Sequence, residues 1–283
     1  MCIQKIRDIG ILNISSYVEN FEMAPENVQD NIKSIQPSIH ISFNTSIDVT
    51  LEVISGQVVK NRFDICAAKN NMTISEFLKL PKEQQVDLLS HGKTSEARQF
   101  MQRRVDFSHR FTDGPQLTYF SLNINSASGN MKYGNCCIIL KPHVHKQATA
   151  LKYDSLRHYY SGGNAFDKAN CFQDLLPYEH VGLLIWDKLK NDVSINKLEA
   201  IIQSVNAEVE NDEEPLEVMT SEITDVSCIA EVIFPLADYE LAVELSTRKA
   251  IGEILAPEED ILLSKFIHFQ RELDRNKIPL TLK

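Results

Sequence analysis

Three short segments, far apart in the chain, carry side chains that suit catalysis or ligand binding. They are His40-Ile41-Ser42, Thr118-Tyr119-Phe120-Ser121 and Ala230-Glu231-Val232-Ile233. Each segment has the alternating or β-branched composition of a strand. A carboxylate among apolar neighbours is costly to desolvate unless it serves a site or has a partner. Glu231 is therefore a candidate catalytic acid, and His40 and Tyr119 are candidate binding residues, with plain structural roles left open for each.

The order of these segments resembles the His-Tyr-Glu pattern of the ADP-ribosyltransferase superfamily. It is most similar to that of the DarT-type nucleic-acid ADP-ribosyltransferase toxins. Gly163-Asn164-Ala165 resembles an Asp-Gly-Asn-Ala segment of that family, and Leu184-Ile185-Trp186-Asp187 resembles a Trp-containing stretch that follows it. IAEVIFPLADYEL is similar to the family's Gln-Ala-Glu-Phe-Leu-Val and the turn behind it. The similar segments span residues 38–245, which is most of the chain.

The resemblance implies one ADP-ribosyltransferase-like domain over residues 1–283, which cleaves NAD⁺ and transfers its ADP-ribose. In this interpretation Glu231, Tyr119 and His40 are catalytic and converge on a single nicotinamide-sized cleft. Glu231 would stabilise an oxocarbenium-like transition state, Tyr119 would stack on the nicotinamide, and His40 would bind a ribose hydroxyl. NAD⁺, as substrate, would be bound by His40, Ser42, Tyr119, Ser121, Tyr133 and Gly134, with Gly56 and Gly134 allowing close backbone approach.

Two departures from the family pattern bear on the acceptor. Ile229 stands two residues before Glu231, so the Gln/Glu-x-Glu signature of relatives that modify protein arginine is missing. No arginine follows the Tyr-Phe strand, and Arg110 in FSHRF is the candidate replacement. The implied acceptor is DNA or RNA, bound by Arg103, Arg104 and Arg110. A protein acceptor, or an inactive interaction module of the same fold, remains an alternative.

The charge is uneven along the chain. The net charge is -10, which argues against a general nucleic-acid coat, because phosphate binding needs a positive surface. Residues 93–110 and 132–157 nevertheless each carry five Lys/Arg, whereas residues 207–224 carry seven acids and no base. The two basic segments could follow a single strand, or could be solvated charge. A cellular modifier of nucleic acid would be toxic, so we expect a toxin–antitoxin or phage-defence role with a neutralising antitoxin protein.

Other chemistries receive less support from the sequence. The six cysteines form no C-x-x-C pair and favour free thiols in the cytoplasm, and no apolar run is long enough for a membrane span. A metal site is not expected. His143 and His145 would share a face of a strand, but they lack further ligands at suitable spacing. G-x-S-x-G is absent, which argues against a serine hydrolase. Glu179 is a second, lower-ranked candidate acid.

The elements that must position these residues are predicted to form an α+β, ADP-ribosyltransferase-like fold of two small packed sheets with surrounding helices. Residues 1–36 are predicted as an N-terminal extension, a short strand and then a helix from Pro25. Residues 207–224 are predicted as an acidic loop or insert, and 257–283 as a C-terminal helix. Strands are predicted at 38–43, 117–122, 136–140, 229–234 and 241–246. Helices are predicted at 48–54, 74–89, 95–104, 195–206 and over most of 151–191.

Overall fold

The strands join into one eight-stranded mixed sheet, accompanied by a separate two-stranded hairpin. The computed structural model describes residues 2–56, 59–110, 117–124, 133–161, 165–189, 216–220 and 226–283. The order across the large sheet is β10-β9-β3-β1-β2-β8-β4-β7, and β5 pairs with β6 in the hairpin. Neighbouring strands are antiparallel except β9 and β10, which are parallel.

The bounds of the elements are as follows. The strands are β1 (Ile39–Thr45), β2 (Thr118–Ile124), β3 (Cys136–Leu140), β4 (Thr149–Leu151), β5 (Tyr160–Ser161), β6 (Ala165–Phe166), β7 (Leu175–Pro177), β8 (Glu217–Thr220), β9 (Ile229–Phe234) and β10 (Leu280–Leu282). The helices are α1 (Cys2–Glu22), α2 (Glu26–Ile35), α3 (Ile47–Ile54), α4 (Arg62–Lys69), α5 (Ile74–Lys79), α6 (Lys82–Ser90), α7 (Ser95–His109), α8 (Pro142–His145), α9 (Lys168–Gln173), α10 (Val181–Leu189), α11 (Leu236–Ala250) and α12 (Pro257–Asn276).

The α+β class agrees with this mixture of helices and sheet, but the expectation of two small packed sheets is wrong. The short strands β8, β4 and β7 extend the central sheet beyond β2. β8 lies within residues 207–224, which are predicted as a loop, and 207–215 and 221–224 are outside the described residues. Strands of three or four residues are too short for a period-2 pattern to stand out. Their pairing partners, which are distant in the chain, determine them.

Several local signals are confirmed. Thr73 and Glu76 form the predicted capping box at the start of α5, with Glu76 accepting from the Thr73 backbone N–H at 2.8 Å. The helices that follow Pro25 and begin at Pro257 both form. The predicted helix 74–89 is instead divided into α5 and α6 at Pro81, whose ring cannot donate a backbone hydrogen bond. The predicted helix 195–206 and the Gly-Asn pair at 163–164 lie outside the described residues.

Three other local predictions are wrong. Residues 2–22 form α1 and not a strand, and this helix packs along β7. The predicted strand 241–246 lies inside α11, where Ala242 and Leu245 are buried at helical spacing. Residues 151–191 contain β5, β6 and β7 as well as the short helices α9 and α10, so they are not mostly helical. In each case tertiary packing overrides a weak local preference.

The two faces of the sheet differ in composition. One face forms the main core through residues such as Ile41, Phe120, Ile138 and Val232, which are buried against helices. A register shift at Ile139/Leu140 brings Ile229 opposite Leu140, so Ile229 joins this core, whereas Ala230 packs with Cys137, Ile139 and Ile233 on the other side. The simple alternation expected for residues 229–233 is therefore broken by a bulge.

Helices α4 to α7 form a unit inserted between α3 and β2. This unit has a core of its own, which includes Phe63, Phe77, Val86 and Val105. Its last helix, α7, also reaches the sheet, because Phe107 belongs to the cluster that contains Met219. The unit therefore packs beside the face of β2 that carries Tyr119. No helix among the described residues has the length and hydrophobicity to cross a membrane.

Candidate functional site

The strand register places the three predicted catalytic side chains on one face of the sheet. Ser42 pairs with Ser121 on one side and with Ile139 on the other, and Ile139 pairs with Glu231. Residues directly opposite one another on neighbouring strands share a face, as do residues two apart on one strand. His40, two residues before Ser42, and Tyr119, two residues before Ser121, therefore lie on the same face as Glu231.

The three side chains occupy different positions on that face. Because β1 and β2 are antiparallel, His40 and Tyr119 lie on opposite sides of the Ser42–Ser121 pair, about 14 Å apart along the strands at about 3.4 Å per residue. Glu231 is two strands from Ser42, or about 10 Å at the usual strand spacing. The residues thus outline an elongated strip, and the expectation that they converge on a single nicotinamide-sized cleft is wrong.

His40 marks one end of the strip. Its Nδ1 atom is buried and makes no hydrogen bond. Burial lowers the pKa of His40, while the nearby negative charge of Glu231 opposes this shift. The His145 ring lies 5.9 Å from that of His40, and its Nε2 accepts from the Ile41 backbone N–H at 3.4 Å. His40 is therefore an uncharged imidazole with an unused polar atom, held against a second imidazole.

A small polar cluster lies between His40 and Glu231. The Ser42 hydroxyl is fully buried and lies beside the Cys137 thiol, which is a weak hydrogen-bonding group. The Asn123 amide also lies 3.5 Å from the Cys137 sulfur. Burial raises the pKa of Cys137 to about 11, so this thiol is protonated near neutral pH and is a poor nucleophile.

Glu231 lies at the side of the strip next to β10, the edge strand of the sheet. It is partly exposed, and the Thr281 hydroxyl of β10 donates a short hydrogen bond to its carboxylate. The parallel pairing of β10 with β9 fixes this threonine beside the acid. A carboxylate that is oriented but not fully buried suits electrostatic stabilisation of a developing positive charge.

Tyr119 marks the other end of the strip. The Arg104 guanidinium of α7 lies 3.7 Å from the centre of its ring, and the Phe107 ring is 6.3 Å away. The Tyr119 hydroxyl is buried beside the Ser108 hydroxyl without a hydrogen bond of normal geometry. One face of the ring on which a nicotinamide is expected to stack is thus covered by a planar cation from α7.

Tyr133 and Gly134, two further predicted NAD⁺-binding residues, lie close to this end. Tyr133 is 64% exposed. Gly134 has φ 146° and lies so close to β1 that a Cβ atom would overlap the Thr45 carbonyl. The close approach that requires this glycine is therefore to β1. Gly56 adopts φ 96° with no neighbour within 4 Å, so it serves only the turn after α3.

The three predicted acceptor-binding arginines differ in their surroundings. Arg103 donates to the Leu156 carbonyl at 3.1 Å, and Arg110 donates to Asp106 at 2.8 Å and lies over the Phe166 ring. Both thus help to hold the α7 segment to its neighbours. Arg104 is the one of the three that reaches the candidate site, through Tyr119.

Glu217 is a candidate that was not identified from the sequence. It pairs with Ser121 across β2 and β8, so it lies on the same face as Glu231, at the opposite side of the strip. The Ser155 backbone N–H donates to its carboxyl group at 2.9 Å. Burial, followed by the nearby charge of Asp154, raises the pKa of Glu217 to about 8. The available signal was an acid between two apolar residues, the same kind of pattern that identified Glu231.

The elevated pKa predicts how Glu217 affects stability. Between its ordinary pKa of 4.5 and about 8, the folded protein holds a proton that the unfolded chain has lost, so stability falls as pH rises through this window. In Glu217→Gln this loss is absent. Urea unfolding should therefore show the variant gaining stability relative to the wild type from about pH 5 to about pH 8. An advantage that does not change with pH would contradict the assignment.

The lower-ranked sequence candidates lie near the His40 end. His143 and His145 are on α8, so the strand geometry expected for them is wrong. Among the described residues, no three potential ligands are grouped as a metal site requires. Glu179 forms an ion pair with Arg7, and with His145 and Lys146 these residues line a cavity of about 360 Å³.

The strip is bounded by four partly exposed residues, His40, Glu231, Tyr119 and Glu217, whereas Ser42 and Cys137 at its centre are fully buried. His40 and Ser42 each have a buried polar atom without a hydrogen bond. Comparison of the sequence with protein-family models and with curated proteins gave no match.

Proposed function

We propose that this protein is an NAD⁺-dependent ADP-ribosyltransferase that modifies a nucleic acid. The observation that carries the proposal is the placement of His40, Tyr119 and Glu231 on one face of the sheet. These residues come from three strands that are distant in the chain, and their order is the one that the family resemblance requires. An extended dinucleotide needs separate contacts along its length, which an elongated strip can provide.

The polar atoms of the strip are consistent with NAD⁺ binding. His40 Nδ1 is buried and unpaired, which is costly unless a ligand supplies a partner. A ribose hydroxyl could donate to this neutral imidazole if Nδ1 is the unprotonated nitrogen. Ser42 offers a second unused hydroxyl beside it. The cavity next to His145 is also lined by Glu179, which pairs with Arg7, so Lys146 is the lining cation that could contact a phosphate group at this end.

Glu231 would act on the bond that breaks. The bond between the ribose C1′ atom and the nicotinamide nitrogen breaks, and its electron pair neutralises the positively charged nicotinamide ring. The carboxylate of Glu231, oriented by Thr281, stabilises the oxocarbenium-like charge on the ribose. A nucleophilic nitrogen or oxygen of the acceptor then bonds to C1′, and its proton leaves to a base or to water.

Arg104 constrains the role of Tyr119. Nicotinamide stacking on the covered face of the ring requires Arg104 to move. This same observation favours the second candidate function, an inactive binding module of the same fold in which Arg104 permanently blocks the ring.

A nucleic-acid modifier would be harmful to its own cell, and we therefore expect a neutralising antitoxin protein in a toxin–antitoxin or phage-defence system.

The test is incubation of the protein with NAD⁺ labelled in its adenylate part, with single-stranded DNA, RNA and cell-lysate protein supplied separately. Nicotinamide release and acceptor labelling are measured together. Labelling of DNA or RNA is the expected result. Labelling of protein alone would contradict the nucleic-acid acceptor, and no nicotinamide release with any acceptor would favour the inactive module.

A further inference from the structure

A group of cations on the helical unit lies close enough together for their charges to interact. The positive charge of Arg104 acts on Arg62, at the start of α4, and the charges of Arg62 and Lys69 act on Lys93. None of these four residues forms an ion pair within the described part of the chain, although the net charge is -10. By contrast Arg98, on the same helix as Arg104, is paired with Asp87. Like charges held close together repel one another, and a bound anion would relieve this repulsion.

The cluster is continuous with the candidate site. Arg104 connects it to the Tyr119 ring, and the basic groups near Tyr133 include Arg104 and Arg157. Tyr133 presents its ring to solvent. A row of cations therefore leads to two aromatic rings.

Two acids lie near the end of this row. The elevated pKa of Glu217, about 8, leaves its carboxyl group largely uncharged near neutral pH. Asp154 accepts from the backbone N–H groups of Leu156 and Arg157, at 2.8 Å and 3.0 Å, so it caps that turn. One full negative charge thus faces several cations, and the surface keeps an excess of positive charge.

We infer that Lys69, Lys93, Arg62 and Arg104, with Tyr133 and Arg157, form a docking surface for single-stranded nucleic acid that leads to the proposed transfer site. The cations contact successive phosphates, and the exposed Tyr133 ring stacks on a base. An acidic protein would use the cations but would gain nothing comparable from the exposed ring. The part of this inference that says the surface leads to the strip rests on the proposed function. It also replaces Arg103 and Arg110, which the fold already uses, with Arg62, Lys69 and Lys93.

The salt dependence of binding tests this surface. Fluorescence anisotropy would measure the affinity of the full chain for labelled single-stranded DNA and RNA of mixed sequence, without NAD⁺, over a range of salt concentrations. Neutralising two phosphate contacts with Arg62→Gln/Lys93→Gln should weaken binding and reduce the log–log salt slope by roughly 1.4. The matched control is Lys33→Gln/Arg271→Gln, which changes the net charge equally at exposed sites on α2 and α12.

Three outcomes would overturn the inference: no binding of either strand by the wild type, equal losses in both double variants, or equally tight binding of poly-glutamate. Thermal melting of both double variants checks that each is folded, and Arg62 and Lys93 are exposed, so little change is expected. The assay is independent of catalysis. If ADP-ribose is transferred to an acceptor but Arg62→Gln/Lys93→Gln binds nucleic acid as tightly as the wild type, only the docking surface is contradicted. If the wild type binds single-stranded nucleic acid but releases no nicotinamide, only the proposed transferase function is contradicted.

Discussion

Glu231→Gln is expected to reduce NAD⁺ cleavage by roughly 10²- to 10³-fold while leaving the fold intact, because the amide removes the negative charge but keeps the shape of the side chain. The carboxylate is partly exposed, and its contact with Thr281 places the charge beside the polar strip. The Gln oxygen can still accept from Thr281. Initial rates of nicotinamide release at saturating NAD⁺ measure the effect.

The control for this prediction is Glu240→Gln, an acid exposed on α11, away from the strip. The control should retain full activity, and both variants should melt close to the wild type. Nicotinamide release by Glu231→Gln at a rate near that of the wild type would show that the acid of β9 does not carry the chemistry. If the wild type releases none, the inactive module is favoured.

Gly134→Ala is expected to destabilise the protein by roughly 2 to 6 kcal/mol, which combines backbone strain of about 1–3 kcal/mol with steric overlap of about 1–3 kcal/mol. The strain arises because φ at this position is 146°, and the overlap because the new Cβ meets the Thr45 carbonyl. The damage would be transmitted to β1, since Asn44 also donates to the Gly134 carbonyl at 3.2 Å. Chemical denaturation measures the loss.

Gly252→Ala separates the two causes. Gly252 has φ 88°, and no atom lies within 4 Å of the place that a Cβ would occupy, so only backbone strain is expected there, at about 1–3 kcal/mol. If Gly134→Ala costs no more than Gly252→Ala, β1 must move freely away from the loop before β3. In that case the position of the strip would not depend on this contact.

The outer strands of the sheet were not predictable from local sequence. β4, β7 and β8 have three or four residues each, and their stability comes from partners that are distant in the chain. Glu217 was missed for this reason, since an acid in a supposed loop needs no partner, whereas an acid within a sheet does. The bulge that separates Ile229 from Ala230 depends likewise on the pairing of β9 with β3.

The contact of Arg104 with the Tyr119 ring could not be predicted from the sequence either. The position of Tyr119 on a strand suggested that its ring is a stacking surface, but nothing in the neighbouring residues indicates that Arg104 of α7 lies over that ring. Arg103, Arg104 and Arg110 are equivalent as charges in the sequence. Packing of α7 distinguishes them, because it directs Arg103 to Leu156, Arg104 to Tyr119 and Arg110 to Asp106.

The sequence by itself determined the elements whose cause is local: the alternating pattern of β1 and the capping box at Thr73. Such features depend on neighbours a few residues away, and their signals are therefore complete in a short window. Only the tertiary structure decided the strand order, the shared face of His40, Tyr119 and Glu231, and the burial that raises the pKa of Glu217. These properties depend on contacts between segments that are distant in the chain. They are determined only when those segments are brought together and pack into a common core.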